Sequence, residues 1–346
     1  MIIDSNVHWL PEDLFSDESM LSAFLNCVPK QYGWYANVAP IPGKDIKQII
    51  IESPKGYANL NYAANQYNAA AQVRDMKAAG VDKAVFRIPV WQEWLDLETC
   101  IKVNDALAGI MKKYPGKFYA NAVVPPWGTK AQIKELERCI KELGFVGVQL
   151  ACHYGDLYLD EPEFRPYFKV ISKLDIPVIV HHTPLPVDYK SILKYTNQRR
   201  QYGRVIDQGT AVGRELFSDL FDEFPNLKLS HSMLGGAFFG IVKMLAPPIT
   251  GKDEVERFAT EGGKLQQHLK NNLFFDTSGS VQWGKDELEC AIKVLGADHI
   301  LYGSSYPIRV DWFFQGIDFV KNLNIDEKSK ELVLGGTAAK LFKIKA

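Results

Sequence analysis

The sequence predicts an eight-stranded parallel barrel with surrounding helices, the (β/α)8 or TIM-barrel class, on three observations. Eight short apolar runs recur along the chain. Helix-period segments separate them. The length of 346 residues exceeds the roughly 250 that such a barrel requires, enough to add an insertion.

The first run is IIDSNVH (2–8). Residues 11–67 separate it from the first barrel helix, and with PIPGK, SPKGY and many Tyr and Asn they predict a cap over the barrel mouth. The helical segment AAAQVRDMKAAG leads into KAVFRIPV (83–90), followed by FYANAVVP (118–125). KAQIKELERCIKELG precedes FVGVQLACH (145–153), and RPYFKVISKLD precedes PVIVHH (177–182). A long connection, 183–208, carries Arg199, Arg200 and Arg204. LKLSHSM (227–233), LFFDTSG (273–279) and, after KDELECAIKVLG, ILYGSSYP (300–307) complete the set. Continuous apolar character suits parallel strands covered on both faces. Gly80, Gly144 and Gly296 follow three of the helices as stop signals. Residues 1–346 read as a single domain.

Composition bounds the function. Hydrophobic residues are 47% and charged residues 23%, which supports a packed core and excludes a disordered chain. Forty Lys plus Arg against 41 Asp plus Glu leave a net charge of -1, with no footprint for nucleic acid or an anionic membrane. The five cysteines, Cys27, Cys100, Cys139, Cys152 and Cys290, form no CxxC pair and read as reduced thiols. MIIDSNVHW lacks the basic start of a leader, and GGAFFGIVKMLAPPI is too short and too interrupted to span a bilayer. A cytoplasmic location is expected.

Strand side chains alternate in direction, and barrel active sites lie at strand C-termini. Gln149, Ala151 and His153 are expected to point inward, with Cys152 toward a helix. Ile179 and His181 share a face, as do Leu229, His231 and Met233; Asp4, Asn6 and His8; and Gly303 and Ser305. Five of the seven histidines (8, 153, 181, 182 and 231) fall at strand ends. Each alone reads as a hydrogen-bonded core histidine; gathered at one end they point to a site, because buried polar groups are costly. Trp9, Trp91, Trp94, Tyr154, Trp283, Tyr306 and Arg309 suit a small aromatic or unsaturated carboxylate, or else pack the cap. Cys27, in FLNCVPK, is a candidate nucleophile or a small buried apolar residue. Ser304 and Ser305 lack a G-x-S-x-G elbow, and PIPGK is not a P-loop.

These segments resemble the amidohydrolase-related family, which includes aminocarboxymuconate-semialdehyde decarboxylase and gamma-resorcylate decarboxylase. IDSNVHWLP is similar to the family's D-x-H-x-H strand and PVIVHHT to its P-V-h-h-H strand. LKLSHSMLGGAFF, FFDTSG, ILYGSSYP and GTAAKLFKI resemble later motifs. The resemblance implies one divalent metal, often zinc. Its ligands would be two strand-1 histidines, the strand-5 histidine and a strand-8 aspartate, with a strand-6 histidine as acid or base. His8 and His181 match; Asn6, Met233 and Ser305 stand at the other three positions. None of those three is a good zinc ligand. His231 could join His8 and His181 if the ion sat deeper by about 6–7 Å, two residues along a strand.

The resulting expectation is an enzyme of this family acting on a small, aromatic acyl or carboxylate substrate by C–C lysis, hydrolysis or acyl transfer without the family metal. His8, His181 and His231 are its candidate catalytic residues. Asn6, Gln149, His153, Ser305, Arg309 and Trp9 are candidates for substrate binding. No cofactor is expected; the alternative is zinc on His8, His181 and His231. A metal-dependent decarboxylase or hydrolase with unusual ligands, and a non-catalytic small-molecule binding protein, are the other two readings. A homodimer is expected from the resemblance, with no nucleic-acid or membrane partner.

Overall fold

The computed structural model describes residues 1–345 except 31–32, 54, 57, 90, 184–186, 188–200, 247–261 and 280–282. The chain opens with β1 (Ile3–His8), then α1 (Glu18–Asn26), capped by the Asp17 carboxylate. Three strands follow, β2 (Tyr35–Pro40), β3 (Lys47–Glu52) and β4 (Ala58–Ala63), paired as an antiparallel sheet. α2 (Ala69–Ala79) ends on left-handed Gly80 and turns into β5 (Lys83–Arg87). Next come α3 (Leu97–Lys113), β6 (Phe118–Val123), α4 (Lys130–Lys141) and β7 (Gly147–Ala151). A short hairpin, β8 (His153–Tyr154) with β9 (Leu157–Tyr158), leaves the end of β7. α5 (Arg165–Leu174), β10 (Val178–His181), α6 (Gly203–Phe217) and β11 (Leu229–His231) continue the alternation. β12 (Leu273–Asp276) and β13 (Ile300–Leu301) complete the strands.

Eight strands form one sheet in the order β1-β5-β6-β7-β10-β11-β12-β13, and every ladder is parallel. The sheet closes on itself: Val7 bridges Tyr306 in parallel, Ser5 N donates to Tyr302 O at 2.9 Å, and Ser305 N donates to Asn6 O at 2.8 Å. All eight predicted runs hold a barrel strand, so the (β/α)8 expectation is met. Among the described residues, no helix is long and apolar enough to cross a membrane.

The interior is layered. At the N-terminal end Ile3, Val85, Ile179 and Leu301 pack together under the closing residues Leu341, Phe342 and Ile344. At the C-terminal end the interior turns polar. β1 makes that switch with a bulge: Ile3 pairs Lys83 and His8 pairs Arg87, leaving one residue extra on β1 between Asp4 and Val7. The slip lets Ile3 and His8 face the same interior despite opposite parity. The segment between β1 and α2 meets the strand-end loops, where the Trp34 and Trp91 rings lie 4.5 Å apart, and α2 ties to the end of β1, with Gln72 Nε2 donating to His8 O at 3.0 Å.

Candidate active site

His8 and His181 end β1 and β10, and their rings meet edge-on with centroids 5.5 Å apart. His181 Nδ1 lies 2.5 Å from Glu93 Oε1, in the short turn Gln92–Trp94 after β5. A carboxylate accepts there, so Nδ1 carries the proton and the Nε2 lone pair faces away. Gln149 Nε2 donates to the same Oε1 at 2.9 Å, and Gln149 is itself pinned to both backbone groups of Ile88. Gln149 therefore positions Glu93. Burial, then His181, then Arg87 hold His8 well below the usual imidazole range, so it is neutral at pH 7. His8 Nδ1 and Nε2, His181 Nε2, Asn6 Oδ1 and Glu93 Oε2 are buried without a hydrogen-bond partner among the described residues. Native structures rarely leave so many polar atoms unmet in one place.

A buried ion pair lies beside them. Arg87 Nη2 donates to Asp276 Oδ2 at 2.6 Å, and both side chains are fully buried. Asp276 Oδ1 accepts from Ser278 N at 2.9 Å. Asn6 Nδ2 reaches Asp276 Oδ2 at 3.5 Å. Asp4 Oδ1 accepts from Asn6 N and Ser304 N, both at 3.0 Å, while its Oδ2 has no hydrogen-bond partner among the described residues. Burial pushes the Asp4 carboxyl up to about 7 against those hydrogen bonds. Ser305 borders Asn6 through its backbone and adopts a left-handed φ of 61°.

Other sequence candidates lie elsewhere. His231 Nδ1 is 2.8 Å from Gln208 Oε1 and its Nε2 is 2.7 Å from Glu215 Oε2. Both partners sit on α6, so His231 faces the helix layer with no nitrogen left for a third-ligand or catalytic role. His153 Nδ1 contacts Gly155 O at 2.8 Å and its Nε2 contacts Thr183 Oγ1 at 2.6 Å. It joins Cys152, whose Sγ donates to Asp207 Oδ2 at 2.8 Å. Strand alternation fails here because β7 has ended and the β8–β9 hairpin begins. Arg309 pairs with Asp311, and Trp9 packs on Phe86 at a ring distance of 6.0 Å in the outer core. Met233 begins a left-handed turn. Cys27 lies near enough to Glu93 that, after burial, that carboxylate adds to the rise of its thiol above the ordinary range; the thiol is a poor nucleophile. Arg204 is buried rather than a solvated face, while Arg199 and Arg200 lie outside the described residues.

Sequence reasoning missed Glu93, Arg87 and Asp276. The signal for Glu93 was an acidic residue among aromatics immediately after a strand C-terminus, where barrel sites are built. For Arg87 it was a charge inside an otherwise apolar strand.

Comparison with known proteins gives this geometry a context. The chain is 30% identical over 263 residues to gamma-resorcylate decarboxylase of Rhizobium sp. (strain MTP-10005), covering 72% of this chain and 77% of that protein. Its fold is similar to 5-carboxyvanillate decarboxylase from Sphingomonas paucimobilis, with a TM-score of 0.73, 20% identity and 99% of each chain covered. It is also similar to dihydroxybenzoic acid decarboxylase from Polaromonas sp. JS666, with a TM-score of 0.70, 21% identity, and 100% and 98% of the two chains covered. That structure contains manganese and the inhibitor 2-nitroresorcinol. The expectation of a site with no cofactor, or with zinc as the alternative, is thereby overturned. Donor groups are also present in this chain. Besides His8 and His181, one ligand atom each from Cys152, His153 and Asp207 lies within 4.8 Å of the others. Glu93 supplies a carboxylate beside the histidine pair. The family model described as Amidohydrolase matches residues 3–344, and this chain belongs to the amidohydrolase family.

Proposed function

We propose that this protein is a metal-dependent, non-oxidative decarboxylase of a small aromatic carboxylate, with manganese as its metal. The observation that carries the reading is the set of buried, unpartnered atoms on His8, His181, Asn6 and Glu93 at the strand C-termini. The relatives named above are decarboxylases of hydroxylated benzoates, which supports the substrate class.

Two donor sets compete for the ion. In the Cys152–His153–Asp207 group the contacts already satisfy one another, with Tyr158 OH donating to Asp207 Oδ1 at 2.8 Å. A thiol ligand also favours softer ions than manganese. His8 and His181 instead offer nitrogens with no other partner among the described residues, one of the two rings backed by a carboxylate as metal-binding imidazoles usually are. His8 and His181 would hold the ion. A bound divalent ion supplies positive charge that orients the substrate oxygens and stabilises charge leaving the carboxylate.

The chain's own residues do the rest. Glu93 and Gln149 fix the His181 ring. Cys27 and Tyr62, from the segment after β1, lie close enough to Glu93 for its charge to act on them, which supports a cap over the site. Replacing C–CO2⁻ by C–H needs a proton at the ring carbon. Neither Met233 nor Ser305 can deliver one near neutral pH. The whole chain acts as one capped barrel, and a homodimer carries over as the expected assembly.

The test is reconstitution with manganese, metal analysis, and measurement of bicarbonate released from a panel of ortho-hydroxybenzoates that includes 2,6-dihydroxybenzoate. Stoichiometric manganese and release that His181→Ala abolishes are expected. A protein that takes up no metal and releases no bicarbonate from any member would sink the reading.

A further inference from the structure

The decarboxylase reading leaves one buried cation unused. Arg87 pairs in register with His8 on the neighbouring parallel strand, so both side chains leave the sheet on the same side. The guanidinium crosses the interior to Asp276 on β12. That contact uses Nη2; Nε and Nη1 have no hydrogen-bond partner among the described residues. The side chain is fully buried, where an unmet donor has lost its water without replacement and is costly. An ion pair that merely filled space would be replaced without loss by apolar residues. The unmet donors lie in the polar C-terminal half of the barrel, beside Asn6 and His8, whose own atoms are also unmet. Asp276 is the nearest counter-charge, with Asp4 and Glu93 acting from farther off.

We infer that Arg87 forms an oxyanion subsite, its Nε–H and Nη1–H binding an acidic oxygen of the substrate while Asp276 holds the guanidinium in place. A planar fork with two free N–H groups suits a carboxylate or a phenolate oxygen. The inference rests on the decarboxylase reading for the identity of the anion, and on geometry for its existence.

The experiment compares manganese-loaded wild type with Arg87→Met/Asp276→Asn and Asp276→Asn. The double variant removes both charges, because Arg87→Met alone would strand a buried carboxylate and risk misfolding. Far-ultraviolet circular dichroism and manganese content establish that each variant is folded and loaded. Calorimetric titration uses benzoate and its neutral counterpart benzamide; absorbance titration follows the visible phenolate band of 2-nitrophenol. If the subsite takes a carboxylate, benzoate affinity falls about 10–100-fold in the double variant while benzamide is unchanged. If it takes a phenolate, wild type binds 2-nitrophenol as the anion below its free pKa and the double variant does not. In either case Asp276→Asn, which frees the cation of its partner's charge, binds the anion at least as tightly as wild type. Unchanged binding of both anions in the double variant, or no binding of either by wild type, overturns the inference. These titrations need no turnover, so a failure to release bicarbonate would sink the decarboxylase reading and leave the subsite standing.

Discussion

Asp4 on an exposed loop would be an ordinary anion; buried at the seam where β1 meets the segment after β13, it is a weak acid. Burial is the largest cause, with the Asp276 charge adding to it and the Ser304 and Asn6 hydrogen bonds opposing it. That raised value makes folding stability depend on pH. A carboxyl raised in the folded state contributes stability below the ordinary carboxylate range and loses it as pH rises through the folded value. Asp4→Asn should therefore resist urea better than wild type at pH 8, and gain less at pH 4. Urea melts at the two pH values decide it. Equal gains at pH 4 and pH 8 would deny Asp4 a raised carboxyl in the folded state.

Two elements carry irregular backbone where they meet the site. The β1 bulge turns His8 inward, as described. Met233–Ala237, after β11, runs through five left-handed residues, with Met233 at φ 57° and Gly236 at φ 68°. This turn packs on α6, the helix whose residues bind His231 and carry Asp207. At Gly236 a Cβ would lie 1.9 Å from Val205 O and 2.7 Å from Gly209 N, both backbone atoms of α6. No rotamer relieves that clash. Gly116 has a similar φ of 75° but nothing within 4 Å of its would-be Cβ. Gly236→Ala should cost about 4 kcal/mol or more, against about 1–2 kcal/mol for Gly116→Ala. Equal losses in urea denaturation would show that the turn-to-helix contact does not set the requirement. Sequence reading placed Met233 and His231 on one interior face; the left-handed turn and the covering helix decide otherwise.

At the scale of the molecule, one end of the barrel holds it together and the other is built for chemistry. Apolar layers and the closing residues Leu341, Phe342 and Ile344 cover the bottom, while unmet polar atoms gather at the top. A ligand that satisfies those atoms binds the folded state alone and stabilises it. At 100-fold its dissociation constant, manganese should add about 2.7 kcal/mol. The thermal midpoint should rise by several degrees, return with chelator, and stay put in His181→Ala. Scanning calorimetry checks this; a midpoint indifferent to manganese would deny the ion a place in the fold.

The sequence by itself determined the barrel, because the signals that specify it are local. Apolar runs, the helices between them and the glycines after them need no knowledge of distant neighbours. The same local logic put His8, His181 and Gln149 at strand C-termini. Tertiary structure decided who meets whom. Glu93 reaches His181 across 88 positions and Arg87 reaches Asp276 across 189. It also turned His231 outward to α6 and drew Cys152, His153 and Asp207 together. Strand periodicity says which way a side chain leaves its strand. The partner across the interior is set by bulge, stagger and closure, which no single segment encodes.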